Sequence, residues 1–352
     1  MWAKPDHFVV SSGRCRLAVR SYPPVSTTSA RAGVILLHGL LSSADVFDVP
    51  GLESMSLARG LQREGFHVVS YDQRGAGEST TEGWSFGLNE HALVDLPAVL
   101  TECRRRFGFE RVVLLGHSLG GTIWLRYVQS PWTPGASGRP TVVGGVVLAS
   151  PADFDRAFPP WSDIANRGRG FVESIDRNRD GIVSREEFVA AQVTLYWPWA
   201  TRLLHPAAIR FQLSLGSRSS LVAGILRVLP LPSLIYHRDD FDNATFQRVL
   251  QSKTLDRASQ QLMLELADDV LNPAPANPQP PLALRVLCVG STQDRLVPLR
   301  TVEGFARRFT SARVIATETE YGHLSGHVGY LFKAGVRERV LADVVSYLRT
   351  AL

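Results

Sequence analysis

Cysteine is scarce in this chain of 352 residues. There are three, Cys15, Cys103 and Cys288, with no CxxC among them, and so odd and widely spaced a set does not make a disulfide framework. Long apolar runs are missing too. The N-terminal MWAKPDHFVV carries none, so no signal peptide is expected. The most apolar stretch, Ser220 to Tyr236, is broken by Arg227, Pro230 and Pro232 and is too short to span a bilayer. A cytoplasmic protein is the resulting expectation. The net charge is +5, yet no Lys/Arg-rich stretch interleaves with aromatics, and the densest basic run is Arg104-Arg105-Arg106. A stacking platform for single strands needs such interleaving, so no nucleic-acid partner is expected. The surplus charge serves solubility, with some attraction to anionic surfaces. What remains is ordinary for a globular protein: 45% hydrophobic and 20% charged residues.

The first 150 residues alternate strand and helix signals. HFVVSS and RCRLAVRSY, separated by Gly13, read as a hairpin. GVILLHG (33–39), HVVSYD (67–72), RVVLLGH (111–117) and VVGGVVLAS (142–150) are short apolar runs of the kind buried parallel strands need. Helical stretches lie between them (56–65, 90–108, 119–130). From 151 to 280 no convincing buried strand is visible, and the segment reads as a helical insertion closed by the Pro-rich LNPAPANPQPPLAL. Strands resume at LRVLCVG (284–290) and ARVIATET (312–319), before an amphipathic helix from Val336 to Leu348. The predicted architecture is α/β, a mostly parallel sheet covered by helices, with 1–150 and 281–352 as core and 151–280 as a helical cap.

Gly116-His117-Ser118-Leu119-Gly120 fits G-x-S-x-G, with a buried strand before it and a helix after it. A serine on such a turn is held out at the helix N-terminus, and the glycines relieve crowding. The N–H of Leu119 then faces any oxyanion, and the N–H of Leu40, after His38-Gly39, is the expected second donor. The serine needs a base, and the base an acid. Asp294 follows one later strand, and His323 and His327 follow the next. His323 is taken as the base because it comes directly after Gly322; Asp153 is the alternative acid.

Together, HGLLSSA, YDQRGAGES, GHSLGG, GSTQDRLVP and YGH resemble the α/β-hydrolase family over about 1–150 and 280–352. The resemblance implies a Ser-Asp-His triad, a cap over the nucleophile, no organic cofactor and acyl chemistry. Asp72 and Arg74 would be structural. HGLLSSADV is also similar to lipases of the acid-lipase type, and YGH to acyltransferases of the fold.

The segment IDRNRDGIVSREEF (175–188) is of another kind. Calcium loops of twelve residues present oxygens at positions 1, 3, 5, 7, 9 and 12, with glycine at 6. Here these are Asp176, Asn178, Asp180, the backbone of Ile182, Ser184 and Glu187, with Gly181 at the turn. The stretch resembles an EF-hand over its full loop. Three carboxylates beside Arg177, Arg179 and Arg185 imply moderate affinity. A lone EF-hand must cover its apolar face with a second copy in a homodimer or with the cap's own helices.

LYWPWATRLLHP and the 220–236 run could line a pocket for a lipophilic acyl chain, dock on a membrane surface, or pack on the core. The expected function is cleavage of a carboxylic ester or thioester of a lipophilic acyl group, with calcium in the cap. The alternatives are an acyltransferase or thioesterase on the same triad, and a non-catalytic calcium-responsive binding protein on this scaffold.

Overall fold

In the computed structural model, residues 4–24, 31–130, 138–153, 166–196, 214, 218, 238–272 and 280–352 are described. The apolar runs read from the sequence become one sheet. Its strands are β1 (Asp6–Ser12), β2 (Cys15–Tyr22), β3 (Ala32–Leu37), β4 (His67–Tyr71), β5 (Thr80–Thr81), β6 (Arg111–His117), β7 (Thr141–Leu148), β10 (Leu282–Gly290) and β11 (Phe309–Ala316). The order is β1-β2-β4-β3-β6-β7-β10-β11, with β5 alongside β2. The hairpin β1–β2 and the β2–β4 junction are antiparallel, and every pair from β4 to β11 is parallel. All six residues of β3 are buried. Successive side chains of a strand point to opposite faces, so both faces of the sheet centre are covered.

The covering helices are α1 (Leu57–Arg63), α2 (Leu96–Phe107), α3 (Leu119–Gln129), α8 (Leu299–Ala306) and α9 (Arg337–Ala351). The stretch predicted as one helix over 90–108 opens instead with a π-helical turn, Glu90–Asp95. The left-handed Gly108 then ends α2. The strand predicted to reach 319 stops at Ala316, where a helical turn, Thr317–Glu320, begins. Trp124 of α3 packs fully buried against Phe305 and Phe309.

The insertion departs from its purely helical expectation. α4 (Arg169–Glu173) leads into the 176–187 loop, and α5 (Arg185–Tyr196) leaves it. Within the loop, β8 (Ile182–Val183) pairs antiparallel with β9 (Ala258–Ser259), a two-residue ladder. Further along lie α6 (Asn243–Gln251) and α7 (Gln260–Leu271). Two residues per strand carry no periodicity, so such a ladder has no signature in the sequence. Val172, Ile175, Val183, Ala191, Ala258, Met263 and Ala267 form a small second core, and Leu41 joins it from the sheet part of the molecule. The apolar face of the loop motif is thus covered within one chain, by α7, β9 and Leu41. Of the segments 195–206 and 220–236, read as pocket or membrane candidates, only Leu195 and Tyr196, which end α5, are among the described residues.

Candidate active site

β6 delivers Ser118 to the carboxyl edge of the sheet, and α3 starts at the next residue. Ser118 has φ 53° and ψ −125°, a conformation that L-residues avoid, and two hydrogen bonds hold it there. Its N–H donates to the Leu148 carbonyl at 2.9 Å, and its own carbonyl accepts from Gly121 N–H at 3.0 Å. The surrounding glycines are required by space. A Cβ on Gly116 would run into the Gly121 backbone, one on Gly120 into the Leu37 carbonyl, and one on Gly121 into Ser150. Ser118 itself is buried, 8% exposed.

The loop after β3 presses on this turn. A Cβ on Gly39 would stand 3.0 Å from the Ser118 Cβ. His38 fixes the loop's first peptide. Its Nδ1 donates to the Gly39 carbonyl at 2.9 Å, and its Nε2 accepts from Gln73 N–H at 2.9 Å. A donor N–H at Nε2 and an accepting carbonyl at Nδ1 require the neutral ring, and burial pushes the His38 pKa down. In a trans peptide the N–H points opposite to the C=O, so fixing the Gly39 carbonyl also aims the Leu40 N–H. The Leu119 N–H opens α3, among the orphan donors of a helix N-terminus.

Asp294 lies in the turn after β10, 1% exposed. One carboxylate oxygen accepts from the N–H groups of Leu296 (3.0 Å) and Val297 (2.9 Å). The other accepts from His327 Nδ1 at 2.9 Å, with the Tyr330 hydroxyl at 3.4 Å. The histidine paired with Asp294 is therefore His327, and the expectation of His323 is corrected. Gly322, at φ 72°, turns the chain outward, which leaves His323 exposed with its ring against Gly335. The chain comes back only over Ser325–Gly329, where Ser291 and Asp240 receive it. Ser325 N–H donates to Ser291 Oγ (3.1 Å) and Gly326 N–H to Asp240 Oδ1 (3.2 Å). Asp153, the alternative acid, pairs with Arg308 at the surface.

His117 is the variable residue of the serine motif, and the motif itself assigns it no role. Its Nε2 donates to the His327 carbonyl at 2.9 Å, and the two rings lie 5.0 Å apart between centroids. Burial pushes the His117 pKa down to about 3, so the ring is neutral. It links the serine turn to the backbone of His327. Asp72 accepts from the N–H groups of Ala44 and Glu78, and Arg74 pairs with buried Asp95.

In the 176–187 loop, Gly181 takes φ 80° and Arg179 φ 59°. Asp176 is buried and accepts from the N–H groups of Asp180 (3.3 Å) and Gly181 (2.9 Å). Asn178 Oδ1 accepts from Asp180 N–H and Asp180 Oδ1 from Ile182 N–H. Ser184 and Glu187 bond reciprocally as a capping box at the start of α5, and the other Glu187 oxygen accepts from Arg177 N–H. As placed, no three His, Cys, Asp or Glu side chains among the described residues converge as a metal-holding group.

The family model for the alpha/beta hydrolase fold matches residues 34–330. Among curated proteins, the chain is 31% identical over 137 residues to gastric triacylglycerol lipase of Rattus norvegicus, covering 35% of this chain and 34% of that protein. It is 33% identical over 105 residues to human lipase member K, 27% and 26% of the two chains. The matched stretches thus span about a third or less of these relatives. Among solved structures, an esterase from Exiguobacterium antarcticum aligns at TM-score 0.59 with 14% identity, covering 98% of this chain and 100% of that one. The carboxylesterase CesB of Bacillus subtilis aligns at 0.54 with 16% identity, covering 99% and 93%. At such identities these structures speak for the fold. The matched model covers most of the chain, including the serine turn, the Asp294 turn and His327: the chain belongs to the α/β-hydrolase family.

Proposed function

We propose that this chain is a serine hydrolase of carboxylic esters or thioesters with a lipophilic acyl group. Ser118 is the nucleophile, His327 the general base, and Asp294 the acid that orients it. The observation that carries this reading is the buried 2.9 Å bond between Asp294 and His327, whose ring lies 5.0 Å from that of His117, the residue before a serine held in a strained turn.

The chemistry follows from the hydrogen bonds. Asp294 accepts at Nδ1 of His327, which puts the free lone pair on Nε2. That nitrogen takes the Ser118 proton as Oγ adds to the substrate carbonyl carbon. Negative charge then gathers on the carbonyl oxygen, where the N–H groups of Leu40 and Leu119 stabilise it. Collapse of the tetrahedral intermediate expels the alcohol or thiol, which takes the proton from Nε2. Water, deprotonated by the same nitrogen, releases the acid from the acyl-serine. The limited identity with lipases supports a lipophilic acyl group.

The 176–187 loop is read as a calcium site formed by Asp176, Asn178, Asp180, the Ile182 carbonyl, Ser184 and Glu187. All six positions carry oxygen, and Gly181 has the left-handed backbone that the sixth position requires. The N–H bonds accepted by Asp176, Asn178 and Asp180 curl the loop around its own carboxylates. Glu187 would leave its capping role to bind an ion. Calcium would supply charge neutralisation and order to the insertion.

A fluorophosphonate probe tests the nucleophile: the parent protein is labelled and Ser118→Ala is not. Labelling of Ser118→Ala, or none of the parent, overturns the serine reading. Terbium tests the loop. Trp84 lies beside Gly181, so Tb3+ bound there is sensitised by tryptophan excitation, and Asp176→Ala with Glu187→Gln abolishes the signal. A signal unchanged in that double variant rejects the site.

A further inference from the structure

The insertion grips the loop that carries the Leu40 N–H, through a short segment that no sequence motif marks. Residues 253–257 lie between two core loops, 39–45 and 73–79. On the first loop, Ser43 Oγ donates to the Lys253 carbonyl at 2.7 Å and Lys253 N–H to Asp45 Oδ2 at 2.9 Å. Asp256 N–H donates to the Leu41 carbonyl at 2.8 Å. On the second loop, Gly77 N–H donates to the Asp256 carboxylate, Lys253 Nζ to the Gly77 carbonyl (3.1 Å) and Arg257 Nε to the Gly75 carbonyl (3.0 Å).

Leu41 is the residue under load. It holds φ 55° without being glycine, a conformation that a leucine does not keep unaided. Two things retain it: the hydrogen bond from Asp256, and burial of its side chain among Val183, Ala258 and Met263 of the insertion. One residue further upstream, across Leu40, is the Gly39–Leu40 peptide, which carries the Leu40 N–H. His38 fixes that peptide from the Gly39 side, and Leu41 fixes the chain from the other.

We propose that Asp256 is a positioning residue for the reaction. Its carboxylate anchors on Gly77 so that its backbone N–H holds Leu41, and with it the Leu40 N–H, in the aim that oxyanion stabilisation needs. Two residues on, Ala258 pairs with Val183 of the 176–187 loop, which braces the strut from behind. The proposal rests on reading Leu40 as an oxyanion donor.

The test uses the full chain and p-nitrophenyl butyrate. Loss of a whole oxyanion donor costs on the order of 10²–10³ in kcat, and misaiming one costs part of that. Asp256→Ala is expected to lower kcat about tenfold while KM stays within about twofold. Asp256→Asn, whose amide oxygen still accepts from Gly77 N–H, is expected to keep about half of the parent kcat or more. Lys253→Met, at an exposed side chain, is expected to lose about two- to threefold and carries the test if Asp256→Ala does not fold. Unchanged kcat in either folded variant, or equal loss in Asp256→Ala and Asp256→Asn, overturns the proposal. Hydrogen exchange separates this failure from that of the serine reading. The amides of 39–45 exchange faster in Asp256→Ala if the strut holds them, whether or not the ester is turned over, and unchanged exchange refutes the strut.

Discussion

The sheet core and the insertion hold themselves together by different means. The core relies on area: β3, β6 and β7 place runs of Val, Leu and Ile at zero exposure, and Trp124, Phe305 and Phe309 fill the space beneath them. The described part of the insertion has a second core of seven residues that Leu41 joins from the sheet part, a two-residue ladder and a set of hydrogen bonds to core loops. Apolar burial is non-directional and stabilises whatever is packed; hydrogen bonds between loops stabilise one particular geometry. The core therefore sets stability, and the insertion sets where a few backbone groups point.

The sharpest way to break this comparison is at the residues proposed to do the chemistry. His327→Ala should lower kcat/KM for an ester by roughly 10⁴, as loss of a general base does, while His323→Ala stays within about twofold. Steady-state kinetics on purified variants decide it, and the reverse pattern would restore His323. Next in size is the core's own geometry. Gly120→Ala drives a methyl into the Leu37 carbonyl, which is backbone and cannot step aside. It should cost about 3 kcal/mol in a denaturant titration and remove activity with it.

Acid should attack the core in particular. Burial lowers the pKa of His91 and His117 from 6.5 to about 3, and His38 moves in the same direction. In the unfolded chain these rings take up protons below pH 6.5; in the folded chain His91 and His117 do so only near pH 3. The unfolded state thus binds more protons between these limits, and stability falls as pH drops from about 6.5 towards 3. Melting temperatures at fixed ionic strength should decline steadily from pH 7 to 4.5. A flat profile would mean that these rings are not buried as described.

The smallest effect belongs to the second core. Val183→Ala removes two buried methyl groups at about 0.8 kcal/mol each and so costs ~1.5 kcal/mol. Because Val183 touches the same cluster as Leu41, kcat should fall by a few-fold as well. A stability loss without a rate change would separate the insertion from the loop that carries Leu40.

Much of the core was legible. GVILLHG and RVVLLGH are apolar without interruption, as strands covered on both faces must be, and the GHSLGG glycines sit where any Cβ would strike backbone or a buried side chain. The choice between His323 and His327 was not legible. Both stand in one loop without periodicity, and the outward turn at Gly322 shows only in three dimensions. His117 was hidden for a similar reason, since its partner is a carbonyl 210 positions away. The pairing of β8 with β9 joins residues about 75 apart through two positions each.

From the sequence alone came the order of the strands' apolar runs, the strained serine turn, the acid after β10 and the oxygen-bearing loop at 176–187. Each of these shows in residue type and short-range spacing, even where the contacts that enforce it come from farther along the chain. The tertiary structure decided which histidine meets Asp294, which segment holds Leu41, and what covers the loop's apolar face. Those depend on distant pieces of chain arriving together, and the free energy of that arrival is shared across the whole packed sheet rather than written at any one position.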